Sequence, residues 1–346
     1  MRTPFLAIAG LSSILTLHTS SAYPSSFPAP RVVWEPSTPA WLECITERRN
    51  GDLLITRFDT GQIWSVSKNT GEPALVYEFS NSSSINSALG ITEYQDDVFA
   101  VNAGQTQDGL PVHGTWGLWA VDLRGWHPER KQLPAVTLIV KIPDAAFLNG
   151  LTVLNPATTR GPRSQGVEAN PFFLLADSSV GAIYGVDLAN KTPSIFYSNP
   201  ELLAPPANAP FPAGLNGIQL PAVRKPEYVY FSAGLRGTFY RLKLANNAPA
   251  VAHDAEMELL IEGYQILDDF ALEADGTAYL ATSVENKIVR LSPGGNQTII
   301  AQGDIVASST AVLLTHRGSK KILYVTSGTR GSDPDLISGK LTEITL

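Results

Sequence analysis

One short pattern recurs six times along the chain, and it constrains the fold more than any other feature. Each copy begins with a turn residue and continues with alternating apolar residues, as in Gly61-Gln-Ile-Trp-Ser-Val, which is typical of a half-buried strand. The copies begin at Gly61, Gly117, Gly181, Gly237, Asn286 and Gly339. Their starts lie about 50 to 65 residues apart, a period that suits one four-stranded sheet with its connecting loops.

Further apolar runs complete the repeated unit. One run precedes every copy, and another follows five of the six copies. The sixth copy ends at Leu346 without a following run, whereas residues 31–35 near the N-terminus form a spare strand. The pattern therefore predicts an all-β, six-bladed β-propeller closed by an N-terminal strand that pairs with the last blade. Closure of this kind removes sheet edges that would favour aggregation.

The N-terminus has the features of a secretion signal. Arg2 supplies a positive charge, an apolar run extends from Phe5 to Leu17, and the small residues of Ser20-Ser21-Ala22 follow. The run is too short to span a bilayer, which needs about 20 apolar residues. We expect residues 1–22 to be a signal peptide and residues 23–346 to be a single propeller domain, secreted or in the lumen of the secretory pathway. Sequons for glycosylation begin at Asn81, Asn190 and Asn296.

The charge balance limits the partners. The chain has 25 basic and 32 acidic residues, a net charge of −7 and no cluster of Lys and Arg. A nucleic-acid-binding protein needs a basic face, so this class is excluded, and we expect no membrane partner either. Apolar small molecules are the expected partners, and the oligomeric state is left open.

Polar residues recur where the innermost strands begin. In a propeller the first strand of each blade lines the central channel, so the first residues of these strands face a common pocket. When the innermost strands are aligned by their distance to the second strand, the matching positions at their starts are Glu43, Leu89-Gly90, Asn149-Gly150, Asn216-Gly217, Asp268-Asp269 and Ser309-Thr310. These six positions are called the channel frame.

This frame resembles the senescence-marker/gluconolactonase-like and paraoxonase-like six-bladed propellers, over about residues 31–346. The residues that carry the resemblance are Glu43, Asn149-Gly150-Leu151, Asn216-Gly217-Ile218 and Asp268. The resemblance implies that Glu43, Asn149, Asn216 and Asp268 could ligate a divalent cation, usually Ca²⁺, through oxygen atoms. Asn-Gly is also a frequent turn dipeptide, and a buried carboxylate can simply accept backbone hydrogen bonds, so a ring without metal remains an alternative.

The sequence departs from the hydrolytic members of this group. Leu89 stands where the paraoxonase-like lactonases carry a His that can serve as a base, and Cys44 follows Glu43 where an Asp or Asn would help a metal. A carboxylate beside Cys44 suppresses its thiolate, so a small buried hydrophobe is the expected role of this residue. His113, His127, His253 and His316 fall outside the channel frame.

Apolar side chains surround the polar frame in the predicted pocket, as is usual for a small-molecule site. They are Trp41, Leu89, Trp116, Phe147, Phe211 and Phe270, although each taken singly is more often a core residue than part of a ligand-binding wall. A secreted propeller with sequons, a single cysteine and a weakened hydrolytic ring resembles a fungal branch of the superfamily that includes hetero-Diels–Alderases of tropolone sesquiterpenoid biosynthesis. The segments that carry this resemblance are Leu148-Asn149-Gly150-Leu151, Leu175-Ala176-Asp177-Ser178 and Asp268-Asp269-Phe270.

Three functions follow from these observations. The first is a hetero-Diels–Alderase that joins a tropolone quinone methide to a humulene-type sesquiterpene in the channel, with Asn149, Asn216, Asp268 and Ser309 as candidate catalytic residues. This reaction requires no cofactor. The second is a Ca²⁺-dependent lactonase or esterase that uses the Glu/Asn/Asn/Asp ring. The third is a propeller that binds a small molecule without catalysis.

Overall fold

The protein folds into six four-stranded antiparallel sheets, as seen in a computed structural model that describes residues 29–130, 132–155, 170–245, 249–251, 253, 255–328 and 339–346. The sheets are arranged as the blades of a β-propeller, which confirms the predicted fold class. The predicted signal peptide lies outside the described residues. No helix in the described ranges is long and apolar enough to cross a membrane.

Each blade runs from an innermost strand at the channel to an outermost strand at the rim. The N-terminal strand is β1 (Arg31–Trp34). Blade one contains β2 (Leu42–Glu47), β3 (Leu53–Arg57), β4 (Gln62–Val66) and β5 (Pro73–Glu78). Blade two contains β6 (Ser87–Gln95), β7 (Val98–Gly104), β10 (Gly117–Asp122) and β11 (Ala135–Lys141), and a small hairpin of β8 (Thr106–Gln107) and β9 (Leu110–Pro111) projects from it.

The remaining blades follow the same order. Blade three contains β12 (Leu148–Leu154), β13 (Phe172–Asp177), β14 (Ala182–Asp187) and β15 (Pro193–Ser198). Blade four contains β16 (Leu215–Gln219), β17 (Tyr228–Ala233), β18 (Thr238–Lys243) and β19 (Met257–Ile261). Blade five contains β20 (Phe270–Leu272), β21 (Ala278–Thr282), β22 (Lys287–Leu291) and β23 (Gln297–Gln302), and blade six contains β24 (Ser309–Arg317), β25 (Lys320–Ser327) and β26 (Leu341–Thr345).

Short helical turns occur only between strands in the described ranges. They are α1 (Pro200–Leu203) and three 3-10 turns at Phe79–Asn81, Gly234–Arg236 and Asp304–Val306. Asn199 caps α1 by accepting a hydrogen bond from the Leu202 amide. α1 lies in the connection between β15 and β16, and the β8–β9 hairpin lies in the connection between β7 and β10.

The N-terminal strand closes the ring. β1 pairs antiparallel with β26 and becomes the outermost strand of blade six, as the sequence predicted. Glu343 of β26 lies only 5% exposed and binds Arg31 of β1 at 2.8 Å, and it also accepts hydrogen bonds from Arg317 at 2.8 Å and Tyr324 at 3.0 Å. The first and last segments of the chain are therefore joined by a polar network as well as by the strand ladder.

The innermost strands of neighbouring blades approach closely at glycine residues. A Cβ atom on Gly90 or Gly150 would lie 2.4 Å from the carbonyl oxygen of Asn149 or Asn216, respectively, in the next blade. A Cβ on Gly217 would lie 2.3 Å from Oδ1 of Asp269. Only glycine permits these approaches, because real Cβ atoms do not occupy such distances.

The first prediction concerns Glu343. Burial alone would raise the pKa of Glu343, but hydrogen bonds from Arg317, Arg31 and Tyr324 outweigh it and lower the pKa. The ionised form therefore contributes stability above the ordinary glutamate pKa, and this contribution is lost as the pH falls through the lowered value. We expect Glu343→Gln to reduce the free energy of unfolding at pH 7 by about 1–3 kcal/mol, measured by urea denaturation. Glu258→Gln, which removes an exposed partner of Arg241, is the control; an equal loss in both variants would contradict the role of the network.

The second prediction concerns Gly150. We expect Gly150→Ala to destabilise the protein by about 1–3 kcal/mol, because the added methyl group would force the backbones of blades three and four apart. Gly294→Ala is the matched control, since the nearest atom to its new Cβ would be Ser292 Oγ at 4.0 Å. Thermal unfolding of both variants measures the difference, and a Gly150 variant as stable as the control would refute the packing argument.

Candidate functional site

A β-bulge recurs at the same place in the innermost strands. In blades one to four, two residues of the innermost strand lie opposite a single residue of the second strand. The two residues are Glu43-Cys44, Leu89-Gly90, Asn149-Gly150 and Asn216-Gly217. In blade five Asp268 and Asp269 both bond to Ala281 in a similar way, and in blade six the register shifts between Ser309 and Ala311. These positions coincide with the channel frame aligned from the sequence.

Side chains of the second strands fix the bulges across blade boundaries. Thr326 of blade six donates to the Glu43 carbonyl at 2.5 Å. Asn102 of blade two donates to the Asn149 carbonyl at 2.9 Å. Ser232 of blade four donates to the Asp268 carbonyl at 2.7 Å. Each bulge carbonyl is thereby held by the preceding blade, so the adjoining side chains have fixed positions at one end of the channel.

Three of the four candidate metal ligands, Glu43, Asn216 and Asp268, lie together at this end, and Asn149 occupies the equivalent bulge position of blade three. Asn216 forms a side-chain hydrogen bond to Asp268, and the charges of Glu43 and Asp268 are close enough to influence each other. Glu43, Asn149 and Asn216 are each at most 5% exposed. Ser309 is fully buried at the start of β24, and its Oγ has no hydrogen-bond partner in the described part of the chain.

Burial changes the ionisation of the acids, and no Lys or Arg among the described residues pairs with them. Burial raises the pKa of Glu43 to about 8, with a hydrogen bond from Trp41 opposing the shift and the Asp269 carboxylate adding to it. Burial, together with Glu43 and Asp269, raises the pKa of Asp268 well above its usual range. Burial also raises the pKa of Asp269 to about 6. At neutral pH Glu43 is therefore mostly a neutral carboxylic acid that can donate a hydrogen bond.

Cys44 lies beside these acids and is suppressed as a nucleophile. Its Sγ is 3.7 Å from Oδ2 of Asp269. Burial raises the pKa of the thiol well above its usual value, and the charges of Asp269 and Glu43 raise it further. The thiol is therefore protonated at neutral pH, as the sequence argument expected.

The ring has oxygen atoms of the kind that a hard cation takes. Asp268 Oδ1 and Asn216 Oδ1 are buried and lack a hydrogen-bond partner among the described residues. Glu43 and Asn149 add a carboxylate and an amide at equivalent positions of other blades. Two acids and two amides fit Ca²⁺ in donor type. Within the described ranges, no group of three or more His, Cys, Asp or Glu side chains is placed to hold a metal, so any ion here would depend on the amide oxygens.

An aromatic cluster lies next to the ring. Trp41 precedes β2, Phe147 precedes β12, and Phe58 follows β3, so all three lie at the end of the blades where the innermost strands begin. The Phe58 ring centroid is 5.0 Å from that of Trp41 and 6.0 Å from that of Phe147. Trp41 also donates from Nε1 to Glu43 Oε2 at 2.5 Å. The indole thus joins the aromatic cluster to the acidic ring.

The predicted pocket residues divide into two groups. Trp116 and Leu89 belong to the same packed cluster as Phe147, and both are at most 1% exposed. Phe270 lies apart, fully buried against Phe239 at a ring distance of 4.6 Å between blades four and five. The described histidines are all exposed, and the sequon residues Asn81, Asn190 and Asn296 are exposed as well.

Phe58 was not recognised from the sequence. It directly follows a second strand, and its amide donates to the Trp41 carbonyl at 3.1 Å. The sequence alignment considered the start of the innermost strand in each blade but not the end of the second strand, which lies beside it. An apolar residue at the end of a second strand was the signal that could have identified it.

Solved structures define the class of fold. A calcium-binding protein, regucalcin, from Agrobacterium tumefaciens matches with a TM-score of 0.60 and 16% identity, covering 91% of this chain and 93% of that one. A structure described as a "putative gluconolactonase" matches with a TM-score of 0.56 and 12% identity, covering 93% of both chains. The expected resemblance to regucalcin-like and gluconolactonase-like propellers is confirmed for the fold.

A sequence relative is more specific. A protein of Sarocladium schorii named "Putative hetero-Diels-Alderase asR5" is 23% identical over 305 residues, which cover 82% of this chain and 71% of that protein. No protein-family model matches the chain. The chain is therefore a distant relative of a protein with that name. This confirms the second part of the expected resemblance, that to a branch that includes hetero-Diels–Alderases.

The third prediction concerns the pH dependence of stability. With a raised pKa in the folded state, Glu43 contributes stability that is fully present below its ordinary value of 4.5 and is lost as the pH rises through about 8. We expect Glu43→Gln to remove this loss of the free energy of unfolding, which at its steepest is about 1.4 kcal/mol per pH unit. Urea denaturation from pH 4 to 9, with a chelator present, measures the effect. Glu129→Gln at an exposed turn is the control, and parallel curves for wild type and Glu43→Gln would contradict the assignment.

Proposed function

We propose that this protein is an enzyme that binds neutral, mainly apolar small molecules at the end of its channel and catalyses a hetero-Diels–Alder cycloaddition. The geometric observation that carries the proposal is the contact between the acidic ring and the aromatic cluster, made by Trp41 and Glu43. An anionic substrate would be disfavoured by burial next to Asp269, which with a pKa of about 6 is mostly ionised at neutral pH. The choice of reaction is supported by the relative named as a hetero-Diels–Alderase.

The proposed substrates are a tropolone quinone methide and a humulene-type sesquiterpene. The C=C–C=O unit of the quinone methide contributes four π electrons and an alkene of the sesquiterpene contributes two. One C–C and one C–O bond form, a new C=C bond remains, and no atom or electron leaves. The reaction therefore needs no nucleophile and no redox partner, in agreement with the suppressed thiol of Cys44.

The protein would act by positioning and by hydrogen bonding. Holding two partners in a reactive arrangement can lower a barrier by up to about 7–11 kcal/mol. A hydrogen bond to the heterodiene oxygen would stabilise the negative charge that develops there. The donors available in the ring are Glu43 as a neutral acid, Asn149, Asn216 and Ser309. The raised pKa of Asp268 favours its protonated form as a further donor. The apolar surroundings would exclude water from a quinone methide that water would otherwise attack.

A Ca²⁺-dependent lactonase or esterase is the second candidate. The buried oxygens of Asp268 and Asn216 without partners favour it, as does the fold of a calcium-binding relative. When bound by Glu43, Asn149, Asn216 and Asp268, a Ca²⁺ ion would supply Lewis-acid polarisation of an ester carbonyl. A non-catalytic small-molecule-binding propeller is the third candidate. We also propose that the protein acts in the secretory pathway and carries sugars on Asn81, Asn190 and Asn296.

The fourth prediction tests the reaction. Purified protein is mixed with a tropolone quinone-methide precursor and humulene, and product ratios are read on a chiral column. We expect Asn149→Ala to reduce the catalysed rate by roughly 10²–10³ if it acts as an oxyanion donor. We expect Cys44→Ala and treatment with a chelator to retain most activity. Asn170→Ala at an exposed position is the matched control.

Two outcomes separate the candidates. Product ratios equal to the uncatalysed background, with Ca²⁺-dependent lactone hydrolysis by the same preparation, would overturn the cycloaddition and establish the second candidate. Saturable binding of either substrate without turnover of any kind would instead establish a binding protein.

A further inference from the structure

The loop of residues 204–214, which connects α1 to β16, is attached to the protein at both ends. At its start, the Ala204 carbonyl accepts a hydrogen bond from Arg236 Nε at 3.0 Å. At its end, the Gly214 amide donates to the Ser178 carbonyl at 2.9 Å. Between these points, the Ala209 amide bonds locally to the Pro206 carbonyl and the Ala213 amide to the Phe211 carbonyl. The loop therefore has fixed ends and locally bonded interior residues.

Prolines make the tip of this loop stiff. Pro205, Pro206, Pro210 and Pro212 lie within it, and the last two flank Phe211 directly. Proline fixes its φ angle and has no amide donor, so it both rigidifies the chain and limits its bonding to neighbours. Phe211 is consequently presented from a stiff backbone, so displacement of its ring is a rotation of the side chain and not a movement of the loop.

The ring of Phe211 forms the outer layer of the aromatic cluster. Its centroid is 5.5 Å from that of Phe147, 6.1 Å from that of Phe58 and 6.5 Å from that of Trp41. Phe147 and Phe58 are buried, at 1% and 4% exposure, whereas Phe211 and Trp41 are half-buried. Phe211 therefore covers the part of the cluster that adjoins the Trp41 indole and, through it, Glu43.

We propose that Phe211 is a displaceable aromatic plug and a specificity-determining residue, whose ring occupies the subsite of the apolar reaction partner. The contacts of Phe211 with three rings, two of them edge-to-face and that with Trp41 tilted, show that this place accepts a flat, apolar group. The neighbouring acids, which pair with no Lys or Arg in the described part of the chain, favour an uncharged occupant. The identity of the occupant as the alkene partner rests on the proposed function.

Displacement of the plug has a measurable consequence. If the binding-competent state requires the ring to leave, the apparent affinity for an apolar ligand is reduced by the fraction of molecules in that state. Removing the ring should then tighten binding, whereas removing an ordinary pocket wall would weaken it. The sign of the change distinguishes a plug from a wall.

The fifth prediction uses N-phenyl-1-naphthylamine, a neutral fluorescent aromatic, as the probe. We expect Phe211→Ala to bind the probe about tenfold more tightly than wild type, and Phe211→Trp to bind it no more tightly than wild type. Phe196→Ala is the control, because Phe196 of β15 packs on Phe172 of β13, away from the aromatic cluster. Thermal unfolding verifies that each variant is folded, and Phe211→Leu provides a milder truncation that should also tighten binding.

The outcomes separate this inference from the proposed function. Unchanged or weaker probe binding by both Phe211→Ala and Phe211→Leu would overturn the plug, even if cycloaddition is observed. Tighter binding would support the plug even if cycloaddition is absent, in which case only the identity of the occupant fails. Where cycloaddition is observed, Phe211→Ala should also accept bulkier alkenes and alter the product ratio; an unaltered alkene preference would overturn the role in specificity.

Discussion

The close approach of neighbouring innermost strands is the constraint on which the rest of the structure depends. At Gly90, Gly150 and Gly217 the chain passes so near to the next blade that a Cβ atom could not be accommodated. The residue before each glycine lies in a β-bulge, which turns it out of the regular strand alternation. The packing that closes the ring thus also places Leu89, Asn149 and Asn216 at one end of the channel.

The same arrangement explains the electrostatics of the site. Six blades meet around a narrow channel, so polar groups from distant parts of the sequence are buried together. Glu43, Asp268 and Asp269 share this space, and burial is the largest cause of the raised pKa of each. Raised pKa values favour the protonated acids, which suits hydrogen bonding to an uncharged substrate. The oxygens of Asp268 and Asn216 that lack a partner among the described residues keep metal binding as the physical alternative. Fold closure and site chemistry therefore have one origin.

Much of the architecture could be predicted because the repeat is local. The strands of each blade have alternating apolar and polar residues, and this spacing depends only on strand geometry. The spare strand at 31–35 could only complete the repeated unit that lacked a fourth strand. The channel frame was also predictable, since Asn149-Gly150 and Asn216-Gly217 occupy matching positions of successive repeats. The aromatic residues were harder to place: Phe58 was missed and Phe270 packs between two blades, because an apolar side chain near a strand end fits a core as well as a pocket.

The sequence by itself determined the number of blades, their order, the closing strand and the set of polar residues at the channel, because these follow from periodicity and turn chemistry within about 60 residues. Only the tertiary structure decided which acids are neutral, which oxygens lack partners and which rings touch. These properties depend on distances between residues of different blades, such as Cys44 and Asp269 or Phe211 and Trp41. Burial and contact are produced by ring closure, and no local pattern in the chain contains them.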